Sequence, residues 1–369
     1  MKEDLLIVGS GAFGSCFAHL AKQAGKSVRI IEKRDHIGGN IYTKKIEGID
    51  IHVYGAHIFH SNSKKVWDFV NKFTAFNNYR HTVKVNYCEN IFSFPINLFT
   101  ISQVLGCTNP ASAKELIEKE RDLGVDPESN LENFCLYHIG PKLYSTFIKD
   151  YTAKQWGKAP KELPSSIIKR LPIRFNFNDS YFLASEYQGI PVDGYTKMIE
   201  NMISNVPVEL GVDFIPNKTK LEKQFKHIVY TGALDELFEY KLGHLSWRSL
   251  DLVTEVKDIE DYQGCSVINY TGPVEQYPFT RKIEHKHFNW IKNNKTVITT
   301  EYPSVWNLNK EKYYPVNTEE NNNLHKKYLS LVSDNYIIGG RLGSYLYYDM
   351  DQIIAQSMTK FNDYYENCN

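Results

Sequence analysis

Between an apolar run, Leu5 to Val8, and a stretch of apolar residues at helical spacing stands Gly9-Ser10-Gly11-Ala12-Phe13-Gly14. In this pattern Gly9 permits a tight turn, Gly11 lets a pyrophosphate approach the backbone, and Gly14 lets a helix pack against the preceding strand. The helix that follows is predicted to bury Phe13, Cys16, Phe17, Leu20 and Ala21, with Gly25 closing it. Ser27 to Ile31 reads as a second buried strand, ending at Glu32, where a carboxylate accepts ribose hydroxyls. The chain therefore opens as a dinucleotide-binding βαβ unit, with Ser10 and Phe13 inside its turn.

The next residues bear on which dinucleotide is bound. Lys33 and Arg34-Asp35-His36-Ile37-Gly38-Gly39-Asn40 give an RxxxGG run directly after the acidic residue. That run resembles the extended fingerprint of FAD-binding domains of the glutathione-reductase type, which implies FAD, with Lys33, Gly39 and Asn40 at the cofactor. Far downstream, VPVELGVDF, HIVYTG and NYIIGGR read as further buried strands, and MDQIIAQSMTKF as a helix with Asp349 as N-cap and Gln352 at the capping-box position. A helix N-terminus carries about half a positive charge, suited to an anionic reduced flavin.

The expected fold class is α/β: a discontinuous Rossmann-like FAD-binding domain (1–68, 192–238 and 321–369), an inserted helical-bundle domain (95–160) and an antiparallel β-sheet domain (69–94, 161–191 and 239–320). Helical spacing in ASAKELIEKERD and LENFCLYHIGPKLYSTFIKDYTAKQW supports the second, and SLDLVTEV, CSVINYT and KTVITTEY the third. NNNL near Asn321 reads as a surface turn. At 369 residues the chain has room for two or three such units.

Composition removes several function classes. With 43 basic and 43 acidic residues, no global field recruits nucleic acid or an anionic membrane, so any anionic ligand must be held by local arginines. The six cysteines form no CxxC pair, and His57 and His60 stand three apart without a third ligand motif, so no metal is expected. No apolar run approaches the ~20 residues of a membrane span. MKEDLLIVG runs straight into a strand with no signal-peptide regions, which makes a cytoplasmic protein the expectation.

An ordered series of motifs goes further: YGAHIFH, DYTAKQWG, IIKRLPIRF, YQGIPVDGYT, NYT followed by FTRKIEHKHF, YYPV and GGRLGSYLYYDMD. Together, over nearly the whole chain, they resemble the bacterial UDP-galactopyranose mutases. The resemblance implies interconversion of UDP-galactopyranose and UDP-galactofuranose by nucleophilic catalysis through N5 of reduced FAD, without net redox change. It further implies a homodimer that supplies galactofuranose for lipopolysaccharide or capsule, with UDP-N-acetylgalactosamine a candidate second substrate.

By the same resemblance, Arg170 and Arg281 grip the substrate diphosphate, and they carry the reaction together with His60 and Arg341. Tyr181, Tyr313, Tyr347 and, as a weaker match, Tyr314 bond the diphosphate through phenols. Tyr151 and Trp156 match uracil-stacking and mobile-loop positions, with Phe147 and Asn97 as neighbours and Asn269 from NYT at the substrate. His57, His60, Arg248, Gly340, Arg341 and Met350 fall on the cofactor side. Asp349 fits a helix cap or the flavin site equally, and Arg174 reads as structural.

Three rival readings share part of this pattern. An NAD-dependent UDP-sugar epimerase needs a YxxxK dyad, and none of the 25 tyrosines has lysine four residues on. A flavin-dependent amine-oxidase-like oxidoreductase shares the glycine fingerprint without the arginine and tyrosine set. A GDP-dissociation-inhibitor-like binding protein keeps the architecture without flavin chemistry.

Overall fold

The strand Glu3–Val8 lies at the centre of a five-stranded parallel sheet in the order Tyr336–Ile338, Phe225–Tyr230, Glu3–Val8, Val28–Glu32, Val208–Leu210. The computed structural model describes residues 2–168 and 173–367. Leu5, Leu6 and Ile7 are wholly buried because both faces of the sheet are covered. On one face the helix Ala12–Gln23 packs against the C-terminal helix Met350–Asn367, with the Phe17 and Phe361 rings edge to face at 5.5 Å. On the other, Leu6 and Ile31 meet Phe214, Leu221, Phe225 and Tyr328.

The first turn shows why it needs glycine. Gly9 has φ +101°, and a Cβ there would stand 2.3 Å from Thr231 Oγ1, while one on Gly14 would stand 2.0 Å from the Gly9 carbonyl. At Gly11 the nearest atom to such a Cβ is 3.9 Å away, so space is kept there for something other than protein.

A second sheet has seven strands in the order Tyr314–Pro315, Trp247–Lys257, Thr296–Val305, Arg281–Glu284, Val267–Tyr270, Val83–Tyr87, Asn90–Phe94. It corrects the all-antiparallel expectation. Val267–Tyr270 runs parallel to Val83–Tyr87, because the hairpin 83–94 joins the sheet from the far side of the helical insert, with no tight turn to impose an antiparallel partner.

The helical unit consists of Leu98–Leu105, Pro110–Glu120, Leu131–Tyr144 and Asp150–Trp156 around Leu98, Ile101, Ile117, Leu131, Ile139 and Leu143. The long apolar pattern in this segment is broken at Gly140-Pro141, where φ is +76° and a Cβ would meet the Glu120 carbonyl at 2.6 Å. A wide π-type turn, Ser145–Lys149, then leads into Asp150–Trp156.

Two other expectations fail locally. In VPVELGVDF only Val208–Leu210 is strand; Asp213 accepts the Ile215 N–H and starts the helix Phe214–Gln224. NNNL lies in the helix Glu319–Leu329, capped by Thr318 and anchored by buried Tyr328. Among the described residues no helix is long and apolar enough to cross a membrane.

Candidate active site

One cavity of about 790 Å³ runs from the Gly9 turn to the inner face of the seven-stranded sheet. At its first end the wall is the glycine turn. Gly9, Gly11, Phe13 and Gly14 line it with Glu32, Lys33, Gly39 and Asn40. Ser10 points away: its N–H and hydroxyl both donate to Glu32 Oε2 at 2.9 Å, while Arg34 N–H holds Oε1 at 3.0 Å. Ser10 thus fixes the carboxylate at the strand end and does not itself line the cavity. These residues fit FAD: an open Gly11 beside a helix N-terminus for the pyrophosphate, and an oriented acid for the ribose.

Midway along the cavity lies the loop Tyr54 to His60. His57 Nδ1 bonds the Gly55 carbonyl at 2.7 Å, and burial pulls its pKa down to about 4, so it is neutral. Behind it the His57 N–H donates to His52 Nδ1 at 3.0 Å, and the His52 N–H to His285 Nδ1 at 3.2 Å. Burial holds His285 down to about 3, which keeps its acceptor free. Gly340, Arg341 and Met350 face this loop across the cavity. Arg341 Nη2 donates to the Tyr313 carbonyl at 2.5 Å, while its buried Nε has no protein partner and is available to a ligand.

The far end is made by side chains. Arg281 leaves its strand directly opposite Glu301, and three partners hold its fork: Asn269 Oδ1 at 3.1 Å from Nε, Tyr151 Oη at 3.4 Å from Nη2 and Glu301 Oε2 at 3.5 Å from Nη1. Burial opposes charge on both partners and raises the Glu301 carboxyl; the carboxylate nonetheless holds Arg281 firmly protonated. Tyr181, Tyr314 and Tyr347 line the cavity near it, and burial raises each phenol, so all are neutral donors. The Tyr314 and Tyr347 rings lie 6.0 Å apart, with the Arg341 guanidinium 5.0 Å from the Tyr347 ring.

His60 connects the two ends. Its ring stacks on Phe182 at 3.7 Å, Nδ1 meets Ser185 Oγ at 3.1 Å, and Nε2 lies 3.7 Å from Asp349 Oδ2. Asp349 serves both readings open to it. Its N–H donates to Gln352 Oε1 at 2.9 Å, the reach-back half of a capping box, while Asp349 also lines the cavity.

Other expected site residues lie in varied surroundings. Tyr313 lines the cavity on the cofactor side, where Glu311 and Arg34 act on its hydroxyl, whereas Tyr314 faces Arg281 and Glu301. Neighbours on an extended segment point to opposite sides, so the two phenols meet different surroundings along the same cavity. Phe147 is 2% exposed and packs edge-on against Phe92 at 5.4 Å; it is core of the helical unit. Trp156 packs on the edge of that same core. Arg248 does not line the cavity but donates to the Gln155 and Lys154 carbonyls at the end of Asp150–Trp156, because a helix C-terminus leaves carbonyls that attract a cation. Asn97 caps Leu98–Leu105, and Arg174 is tied to the Ser180 carbonyl. Arg170 lies outside the described residues.

Sequence reasoning missed Glu301, Phe182 and Ser185. Glu301 had a signal: an acid inside the β-rich run KTVITTEY, at a position buried like its neighbours.

Comparisons with known proteins bear on the family and the fold. A family model described as UDP-galactopyranose mutase matches residues 146–347, and one described as NAD(P)-binding Rossmann-like domain matches residues 7–73. The chain is 39% identical to a protein of Klebsiella pneumoniae named "Probable UDP-galactopyranose mutase", covering 98% of this chain and 94% of that one. It is 37% identical to a dTDP-fucopyranose mutase of Escherichia coli, covering 98% of each. Among solved structures, reduced UDP-galactopyranose mutase superimposes with a TM-score of 0.72 at 14% identity, over 98% of this chain and 95% of that one.

Proposed function

The chain belongs to the UDP-galactopyranose mutase family, and from that premise we propose that it interconverts UDP-galactopyranose and UDP-galactofuranose in the cavity described above. It is an isomerase with FAD as cofactor. The observation that carries the reading is the continuity of one cavity from the Gly9 turn to Arg281, which gives a single site two diphosphate grips.

Bound and reduced, FAD supplies an electron-rich nucleophile for the anomeric carbon of the sugar. The protein's task is to hold UDP as it leaves that carbon and to return it after the ring has reclosed through a different hydroxyl. Arg281, aimed by Asn269, Tyr151 and Glu301, presents a planar fork to the phosphate oxygens, and Arg170 is the proposed second fork. The neutral phenols of Tyr181, Tyr314 and Tyr347 donate to the same oxygens. Tyr151 and Trp156 are the proposed platform for the base. Arg341 places positive charge beside the flavin position, and His60, held by Phe182 and Ser185, borders it.

The proposal extends to a cytoplasmic homodimer divided into the three units predicted from the sequence, serving surface polysaccharide synthesis; its support is the likeness to the bacterial mutases. The Escherichia coli relative favours a second reading in which the substrate is dTDP-fucopyranose. Chromatography of products after incubating dithionite-reduced protein separately with UDP-galactofuranose, UDP-N-acetylgalactosamine and dTDP-fucopyranose decides among these. Conversion of UDP-galactofuranose is the expected result. Conversion of dTDP-fucopyranose alone would move the assignment to the second reading, and no conversion of any of them would refute it.

A further inference from the structure

Three residues beyond Tyr151, on the same side of Asp150–Trp156, stands Lys154. Its Nζ donates to three carbonyls of one turn: Tyr270 at 2.8 Å, Gly272 at 2.9 Å and Tyr277 at 3.1 Å. An ammonium has three N–H donors and no acceptor, so this ring of carbonyls uses all of them. The turn begins directly after Asn269, the residue that holds Arg281 Nε. Thr271, within it, donates to the Thr146 carbonyl at 2.6 Å, in the wide turn that leads into the helix. At the helix end, Arg248 grips the Gln155 carbonyl at 2.9 Å.

Asp150–Trp156 is thus fastened to the sheet that carries Arg281 mainly through cations on carbonyls. Of its described side chains only Trp156 joins an apolar cluster. We propose that Lys154 is a positioning residue for the nucleotide diphosphate, setting Tyr151 and the Asn269–Arg281 pair at the separation that lets them close on one ligand. The inference rests on the nucleotide-sugar reading of this cavity. Lys154 itself touches neither Arg281 nor the cavity wall; it acts through the turn and through its own helix.

The test titrates FAD-reduced holoprotein with UDP and, in parallel, dTDP, and compares wild type with Lys154→Met, Lys154→Gln and Lys154→Arg. Lys154→Met is expected to raise Kd for the better diphosphate and KM for its sugar by about tenfold. The change in kcat stays under about threefold, and the flavin absorbance is unchanged, because the cofactor end is untouched. Lys154→Arg, which keeps cation and donors, recovers most of the affinity.

A folded Lys154→Met protein with Kd within about twofold of wild type overturns the inference, as does a loss confined to kcat. If the methionine protein does not fold, Lys154→Gln against Lys154→Arg decides: weaker binding by glutamine alone supports the inference, and equal binding overturns it. Wild type that binds neither diphosphate overturns the nucleotide-sugar reading itself, and this inference with it.

Discussion

At the Gly9 end of the cavity much of the wall comes from one stretch, residues 8–41, joined by Thr231 and the segment 212–216. At the Arg281 end it is side chains drawn from separate segments: Tyr181, Asn269, Arg281, Glu301, Tyr314 and Tyr347. The first end holds its ligand with amide groups whose positions follow from local φ and ψ, so a glycine pattern is enough to write it. The second depends on cross-strand register and on buried charges that satisfy one another. Damage to the first should therefore act through the fold and the cofactor, and damage to the second through affinity and turnover with the cofactor retained.

The largest effect should come from Gly14→Ala. Its Cβ would fall 2.0 Å from the Gly9 carbonyl, and backbone cannot yield as a flexible side chain does. Destabilisation above about 4 kcal/mol is expected, in the range of the most severe single substitutions, with loss of bound flavin. Gly11→Ala is the control: with 3.9 Å of free space it should leave apoprotein melting near wild type and still lower flavin content. Equal melting temperatures for the two variants would show that the glycines are not doing different jobs.

At the other end, Arg281→Ala leaves Glu301 buried without its cation, a truncation that typically costs about 2–5 kcal/mol. The expected fall in kcat/KM lies between about 30-fold and several thousand-fold, with full flavin content. Wild-type kcat/KM in that variant would remove the diphosphate grip from this site.

Between the ends, the neutral histidine His285 accepts the His52 N–H and so steadies the loop that carries His57. Its pKa in the fold is about 3, below the ordinary 6.5, so the folded state binds fewer protons than the unfolded one. The associated stability is complete above about pH 6.5 and is lost as the pH falls towards 3, by about 1.4 kcal/mol per pH unit for such a group. Denaturant unfolding of wild type and His285→Asn over that range should show a shallower acid slope in the variant; parallel slopes would contradict the assignment.

The smallest predicted effect separates neighbouring tyrosines. Tyr314→Phe should cost about 1 kcal/mol of diphosphate binding, the usual worth of one neutral hydrogen bond, and Tyr313→Phe less. The reverse order in UDP titrations would favour Tyr313 as the diphosphate donor.

The same contrast explains what could be read from the sequence. The opening βαβ unit and the FAD expectation were legible because Gly9 to Asn40 is a single run whose meaning is local. Arg281 was legible by resemblance, being embedded in FTRKIEHKHF. Glu301 was not, because its role appears only when Arg281 and Glu301 are set opposite each other in neighbouring strands. That Tyr313 and Tyr314 meet different surroundings was not legible either, because no periodicity fixes the phase of so short an extended segment. Phe147 and Arg248 illustrate the converse: a family-like position tells little about where a side chain points when packing or a helix end claims it. The helix over NNNL was hidden because its support, the Thr318 cap and the burial of Tyr328, lies outside those four residues.

The central claim is that this fold holds a flavin as a chemical participant whose electrons are returned each cycle. The most direct measurement compares conversion of UDP-galactofuranose by the same preparation with its flavin fully oxidised and fully reduced by dithionite. The account predicts turnover only in the reduced state, with the flavin still reduced when the sugar has reached equilibrium. Equal turnover by the oxidised protein, or flavin oxidation in step with product, would contradict it.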